Sequence, residues 1–201
     1  MCIAGALGAL TILQIAGDYV GGCLVAPAFW LRVRDPVIRR AFAAGLMVFA
    51  PIEYIQPRIG WVQYRRCRTE FWLPTYSTWV VHALWDGLIL GVLFLFLRAV
   101  YGRAALRRRA RSAPLFLGAC AMVQEVAIEA YQGLWVYTPT RWNPCWAYVN
   151  GRAMTLQQWH WAIIPGLVYI ILVPYSPCVH HADRGKWGLG SSARRSRTAF
   201  R

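Results

Sequence analysis

Six ionisable side chains interrupt stretches of sequence otherwise rich in Leu, Ile, Val, Phe and Trp: Asp18, Glu53, His82, Asp86, Glu125 and Glu129. In a bilayer-like medium such a group costs about 2.5–3.5 kcal/mol to insert, so it is kept where it has a partner or a task. His82 and Asp86 are four residues apart, as are Glu125 and Glu129, so each pair lies on one helix face. Trp79 and Trp85 flank the first pair, and Gln132 extends the second stripe. Carboxyl groups that face one another away from water cannot all be ionised, so at least one of Asp86, Glu125 and Glu129 is expected to hold a proton. A held proton beside a base is the equipment of general acid–base catalysis on an apolar molecule. Glu129, Glu125 and Asp86 are the candidate acids, with His82 opposite Glu129 as base or partner. Surrounding aromatic faces would cover an electron-poor intermediate, since they attract cations. Glu53, Trp79, Trp85, Gln132, Trp142, Asn143 and Trp146 are candidate substrate-binding residues, with Glu53, Trp142 and Asn143 at the outer rim.

The same residues have a plainer reading. Polar side chains hold transmembrane helices together at about 0.6 kcal/mol per hydrogen bond, and a His82–Glu129 bond could be glue alone. One bridge would suffice to pair two helices, whereas acids occur on four of the five apolar segments. His82, Asp86, Glu125 and Glu129 have the chemistry of a metal site. Only one histidine is placed at that depth, however, and no HxxxH or HxxE spacing occurs, so neither a metal nor another cofactor is expected. Ser77 and Thr78 lie near the mouth without a triad, and GxSxG and Gly-rich phosphate loops are both missing, which argues against nucleophilic and nucleotide chemistry.

These groups need long apolar elements to position them. Of the 201 residues 58% are hydrophobic, with 11 tryptophans and only 8 acids, far from the composition of an average soluble domain. Apolar segments at about 3–31, 37–55, 74–97, 114–137 and 158–175 are long enough to cross a hydrocarbon core of roughly 30 Å. The expected fold is therefore an all-α integral membrane protein: a single bundle of about five transmembrane helices over residues 1–175, followed by a basic, disordered cytoplasmic tail at 176–201. The first segment lacks a basic leader and carries Asp18, so a retained helix is expected there. Pro74 and Pro114 open helices, Pro57 follows one, and Pro165 is expected to kink the last. Gly21, Gly22 and Gly87 suit helix contacts. Counted from the outer ends, His82 and Glu129 lie roughly 12 Å deep, Asp86 and Glu125 roughly 18 Å, and Asp18 near mid-bilayer. An outward-opening cavity lined by these groups is the simplest common arrangement.

Charge sets the orientation. Sixteen basic residues fall in the 32–40 and 98–111 loops and the tail, against six on the opposite side, which places the N-terminus outside and the C-terminus in the cytoplasm. The net charge of +14 is spread in short arginine runs with no basic face interleaved with aromatics, so the expected partners are a lipid bilayer and an apolar small molecule, not nucleic acid. The aromatic 138–157 loop suits an interfacial belt better than a lid. Cys67 and Cys145 fall on one outer side, where a disulfide could form; the other cysteines are scattered, and His180 and His181 in the tail lack further ligands.

In arrangement only, a small bundle with membrane-embedded acids and many aromatics resembles the membrane-bound sterol isomerases and the integral-membrane terpene cyclases, whose acids protonate a double bond or an epoxide. No signature of either group aligns over this chain. The resemblance implies isomerisation or cyclisation of a lipid-soluble, isoprenoid-like substrate. A second reading is a proton-coupled transporter or a receptor for a cationic amphiphile, since paired acids in an aromatic cavity also bind amines. No internal repeat of the transporter kind is found. A bacterial plasma membrane is expected ahead of the endoplasmic reticulum.

Overall fold

The computed structural model describes residues 19–64, 78–132 and 146–174. Asp18, Cys67, Trp142, Asn143, Cys145 and the tail fall outside them. Among the described residues, a π-helical turn at Gly21–Val25 leads into α1 (Ala26–Arg32). α2 (Pro36–Ile55) begins where Asp35 Oδ1 accepts from Val37 N at 3.0 Å and Ile38 N at 3.5 Å, with Pro36 preset in the first turn. α3 (Thr78–Tyr101) stops at Gly102, whose φ of 77° no side-chain-bearing residue adopts readily, and a short 3-10 turn follows. α4 (Ala113–Gln132) and α5 (Gly151–Leu172) complete the set. Two of these helices, over Trp79–Tyr101 and Ala113–Ala130, are long and apolar enough to cross a membrane.

Two features differ from the sequence expectation. α5 starts at Gly151, seven residues before Gln158, because Asn150 Oδ1 accepts from Ala153 N at 3.1 Å and caps the helix there. The end of the 138–157 loop is therefore not loop at all. Its residues Trp146–Tyr148 form β2, paired antiparallel with β1 (Val62–Tyr64) in the register Val62↔Tyr148 and Tyr64↔Trp146. Strands of three residues are too short for an alternating pattern to be read, which is why neither was expected. Pro165 lies inside α5, which runs on as one helix to Leu172.

α2 lies along α3 and α4 along α5, and the two pairs meet through α3–α4 and α2–α5 to close a four-helix ring; the π-turn and α1 lean on α3. Glycines set both close crossings. A Cβ on Gly45 would sit 3.1 Å from Gly87 Cα, and one on Gly118 only 2.1 Å from Ala162 O. Gly21 and Gly22, also expected at contacts, receive the Trp85 ring and the Val81 carbonyl.

The ring has two unlike ends. At the arginine-rich end the core is dry: Ile38, Leu90, Phe94, Leu97 and Leu117 pack together, with Phe49 stacked on Trp161 at 4.3 Å between ring centroids. Tyr169 OH donates to Ala105 O at 2.8 Å and accepts from Ala110 N at 2.9 Å, and Arg109 donates to the carbonyls of Val173 and Ile170, so the α3–α4 connection is fastened to α5. The β1–β2 ribbon lies at the other end. Around the outside the helices expose large apolar side chains, among them Met47 (70%), Leu115 (79%), Val123 (70%) and Ile171 (79%). Gly118→Ala has to push the Ala162 backbone away, so it is expected to destabilise the detergent-purified protein by about 1–3 kcal/mol, whereas Ala119→Leu on the exposed face of the same helix leaves the melting curve nearly unchanged.

Candidate functional site

The acids gather under the ribbon. Glu53 in the last turn of α2, Asp86 on α3 and Glu125 and Glu129 on α4 all point into the ring, with 7%, 8%, 8% and 0% exposure. Asp86 lies within electrostatic reach of Glu53 and Glu125, and Glu125 within reach of Glu129 and Glu53. Most of these carboxyls meet a donor from another element. His82 Nδ1 is 3.2 Å from Glu53 Oε2, Tyr148 OH donates to Glu125 Oε1 at 3.3 Å, and Gln158 Nε2 donates to Glu129 Oε2 at 2.6 Å. Behind them Gln56 Nε2 donates to Gln157 Oε1 at 2.6 Å, joining α5 to the turn after α2. Asp86 is the one of the four carboxyls for which no hydrogen-bond donor is seen among the described residues, and its Oδ2 is buried.

The ribbon reaches further in than residue counting suggests. Tyr148 in β2 is 3% exposed and touches Glu125, a residue counted as one of the deepest. Tyr148 therefore presents its hydroxyl proton to the acid cluster through Glu125. β2 thus brings a phenol onto the acid cluster.

The residues expected at the site are distributed unevenly. His82, Asp86, Glu125 and Glu129 come together as a group, and Glu53 joins them in the interior instead of marking the rim, with His82 in contact with it. Trp85 points away, toward Gly21 and the cluster of Ala26, Phe42 and Leu88, and so packs α1 on α3. Trp79 meets Tyr54 edge-on at 5.5 Å, a contact that joins α2 to α3. Gln132 and Trp146 end α4 and begin β2 as backbone, while Asp18, Trp142 and Asn143 lie outside the described residues.

Sequence reasoning passed over Tyr148, Gln56, Gln157, Gln158 and His160. Gln157, Gln158 and His160 sit together in the first half of α5, a signal that is legible only once Asn150 is recognised as the cap. His160 is a second histidine at this end of the chain; its ring stacks on Trp61 at 6.4 Å between centroids, and its Nδ1 is buried without a hydrogen-bond partner among the described residues. Among those residues no group of three or more His, Cys, Asp or Glu is placed to hold a metal ion.

The arrangement can store and relay protons: carboxyls beside a phenol, amides and an imidazole, in a place that water does not dilute. Compared with protein-family models, curated proteins and solved structures, the chain matches none. The amide pair offers a direct test of how tightly the site is held. Gln157→Leu strands the Gln56 amide in the interior and is expected to cost about 1–3 kcal/mol, while the double variant Gln56→Leu/Gln157→Leu regains most of it; thermal unfolding of the four proteins in one detergent gives the coupling.

Proposed function

We propose that the chain is an integral membrane protein of about five spans, with its N-terminus outside and its C-terminus in the cytoplasm, and that the carboxyl cluster is an acid–base catalytic site for a lipid-soluble, isoprenoid-like substrate. Support for the membrane comes from an inside-out distribution. Carboxyls and amides are buried in the ring while Met47, Leu115, Val123 and Ile171 face outward, an order that favours hydrocarbon as solvent. Arginines crowd the end away from the ribbon, which favours that end as cytoplasmic.

The observation that carries the catalytic reading is Asp86. Donors from other elements reach the carboxyls of Glu53, Glu125 and Glu129, whereas none is seen for the buried carboxyl of Asp86 among the described residues. A structural bridge would have used it. In this reading Asp86 meets the substrate as acid or base, the Tyr148–Glu125 and Gln158–Glu129 pairs supply and hold the proton, and His82 with Glu53 returns it. Helix cohesion alone needs fewer polar groups than these. The transporter reading is weakened by the close apolar packing of Phe49, Trp161, Phe94 and Leu117, which leaves no polar path toward the arginine-rich end among the described residues.

The reading is tested on wild type and on Asp86→Asn and Glu129→Gln variants purified in mild detergent, by mass spectrometry of apolar molecules that travel with each. A defined isoprenoid-like compound is expected with the wild type, and its conversion is expected to fall about 100-fold or more in both variants while the unfolding temperature moves by a few degrees. If all three carry the same bulk phospholipid and differ only in stability, the acids hold helices together and catalysis is abandoned. Reporter fusions are expected to place the C-terminus on the cytoplasmic side.

A further inference from the structure

Another side chain has buried polar atoms to spare. Gln124, on α4, has both its Nε2 and its Oε1 buried without a hydrogen-bond partner among the described residues. Phe116, Cys120 and Gln124 follow one another at four-residue spacing and so share a stripe of α4. At the start of the stripe Phe116 packs against Phe96 and Tyr101 of α3, at 5.5 and 5.3 Å between centroids. From the Phe96–Phe116 contact, Asp86 lies ten residues back along α3 and Gln124 eight residues on along the antiparallel α4, roughly 15 and 12 Å toward the ribbon. Asp86 and Gln124 therefore stand within a turn of the same level on neighbouring helices. Asp86 is more than nine-tenths buried.

The two groups ask for one chemistry. Asp86 Oδ2 accepts a hydrogen bond and Gln124 Nε2 donates one, so the smallest group that completes both is a hydroxyl, which donates to the carboxyl and accepts from the amide. A hydrocarbon satisfies neither, and a ketone only the amide. The outward surface beside this seam is apolar, with Val92 and Phe96 exposed on α3 and Val123 on α4. Whatever brings the hydroxyl must carry a hydrocarbon body. We propose that Asp86 and Gln124 form the head-group site for a lipid alcohol at the α3–α4 seam. The inference rests on the acid–base reading and narrows its substrate class from isoprenoid-like molecules in general to those bearing a hydroxyl.

Farnesol and its hydrocarbon counterpart farnesene serve as probes, with binding to the detergent-purified full chain followed through tryptophan fluorescence. Wild type is expected to bind farnesol about tenfold or more tightly than farnesene, and Gln124→Leu to lose most of that preference. Leucine is close in size to glutamine and removes an unpartnered buried amide, so the unfolding temperature of Gln124→Leu is expected to hold or rise, which separates loss of the site from loss of the fold. Equal binding of the two probes by wild type, or a preference that survives Gln124→Leu, overturns the proposal and leaves a bound water as the occupant of both groups. The two readings fail separately. If farnesol is preferred through Gln124 but no isoprenoid is converted in an acid-dependent manner, the head-group site stands and the acid–base reading falls. If conversion depends on Asp86 and Glu129 while Gln124→Leu changes no preference, the reverse holds.

Discussion

Carboxyl groups held away from water must find their hydrogen-bond donors inside the protein, and much of this bundle is organised around that requirement. Glu53 is met from α3, Glu125 from β2 and Glu129 from α5. Each of these contacts joins elements that the backbone alone would leave independent. The ribbon follows from the same need: without Tyr148 bent inward on β2, Glu125 would have no phenol to satisfy it. The α5 helix begins early enough to bring Gln157 and Gln158 to the acids, and the Asn150 cap is what allows it to begin there.

The ring divides this requirement from ordinary packing. In its arginine-rich half, van der Waals contact does the holding, with aromatic stacks such as Phe49 on Trp161. Glycines bring the helices close enough for this, Gly45 against Gly87 and Gly118 against Ala162. In its ribbon half, specific hydrogen bonds replace bulk. The division explains how one small chain accommodates a polar centre: the dry half supplies a stable frame, and the polar half is free to keep groups such as Asp86 and Gln124 unsatisfied.

What the sequence disclosed follows the same division. Charge stands out in an apolar run, so His82, Asp86, Glu125 and Glu129 could be picked out and paired by their four-residue spacing, and the structure brings them together. Glu53 was legible as an acid but not as an interior one, because it lies near the end of its apolar run and the ribbon that buries it cannot be seen in residues 62–64 and 146–148. Trp79 and Trp85 share a helix with the acids, but aromatic type alone does not say which face they use, and the space at Gly21 takes the Trp85 ring. Neutral partners were the hardest to see. Tyr148 and the glutamines carry no charge to mark them, and their role depends on a cap and a strand pairing that are both long-range facts.

The two ends are fastened by different means. At the arginine-rich end Tyr169 and Arg109 rivet the α3–α4 connection to α5, and Arg98 approaches Asp35 at 3.8 Å across α2 and α3. Among the described residues, the halves are joined at the other end by two three-residue strands and a few side-chain hydrogen bonds. The described bundle is thus fastened by charged and phenolic side chains reaching into backbone carbonyls at one end, and by amide and carboxyl pairs at the other.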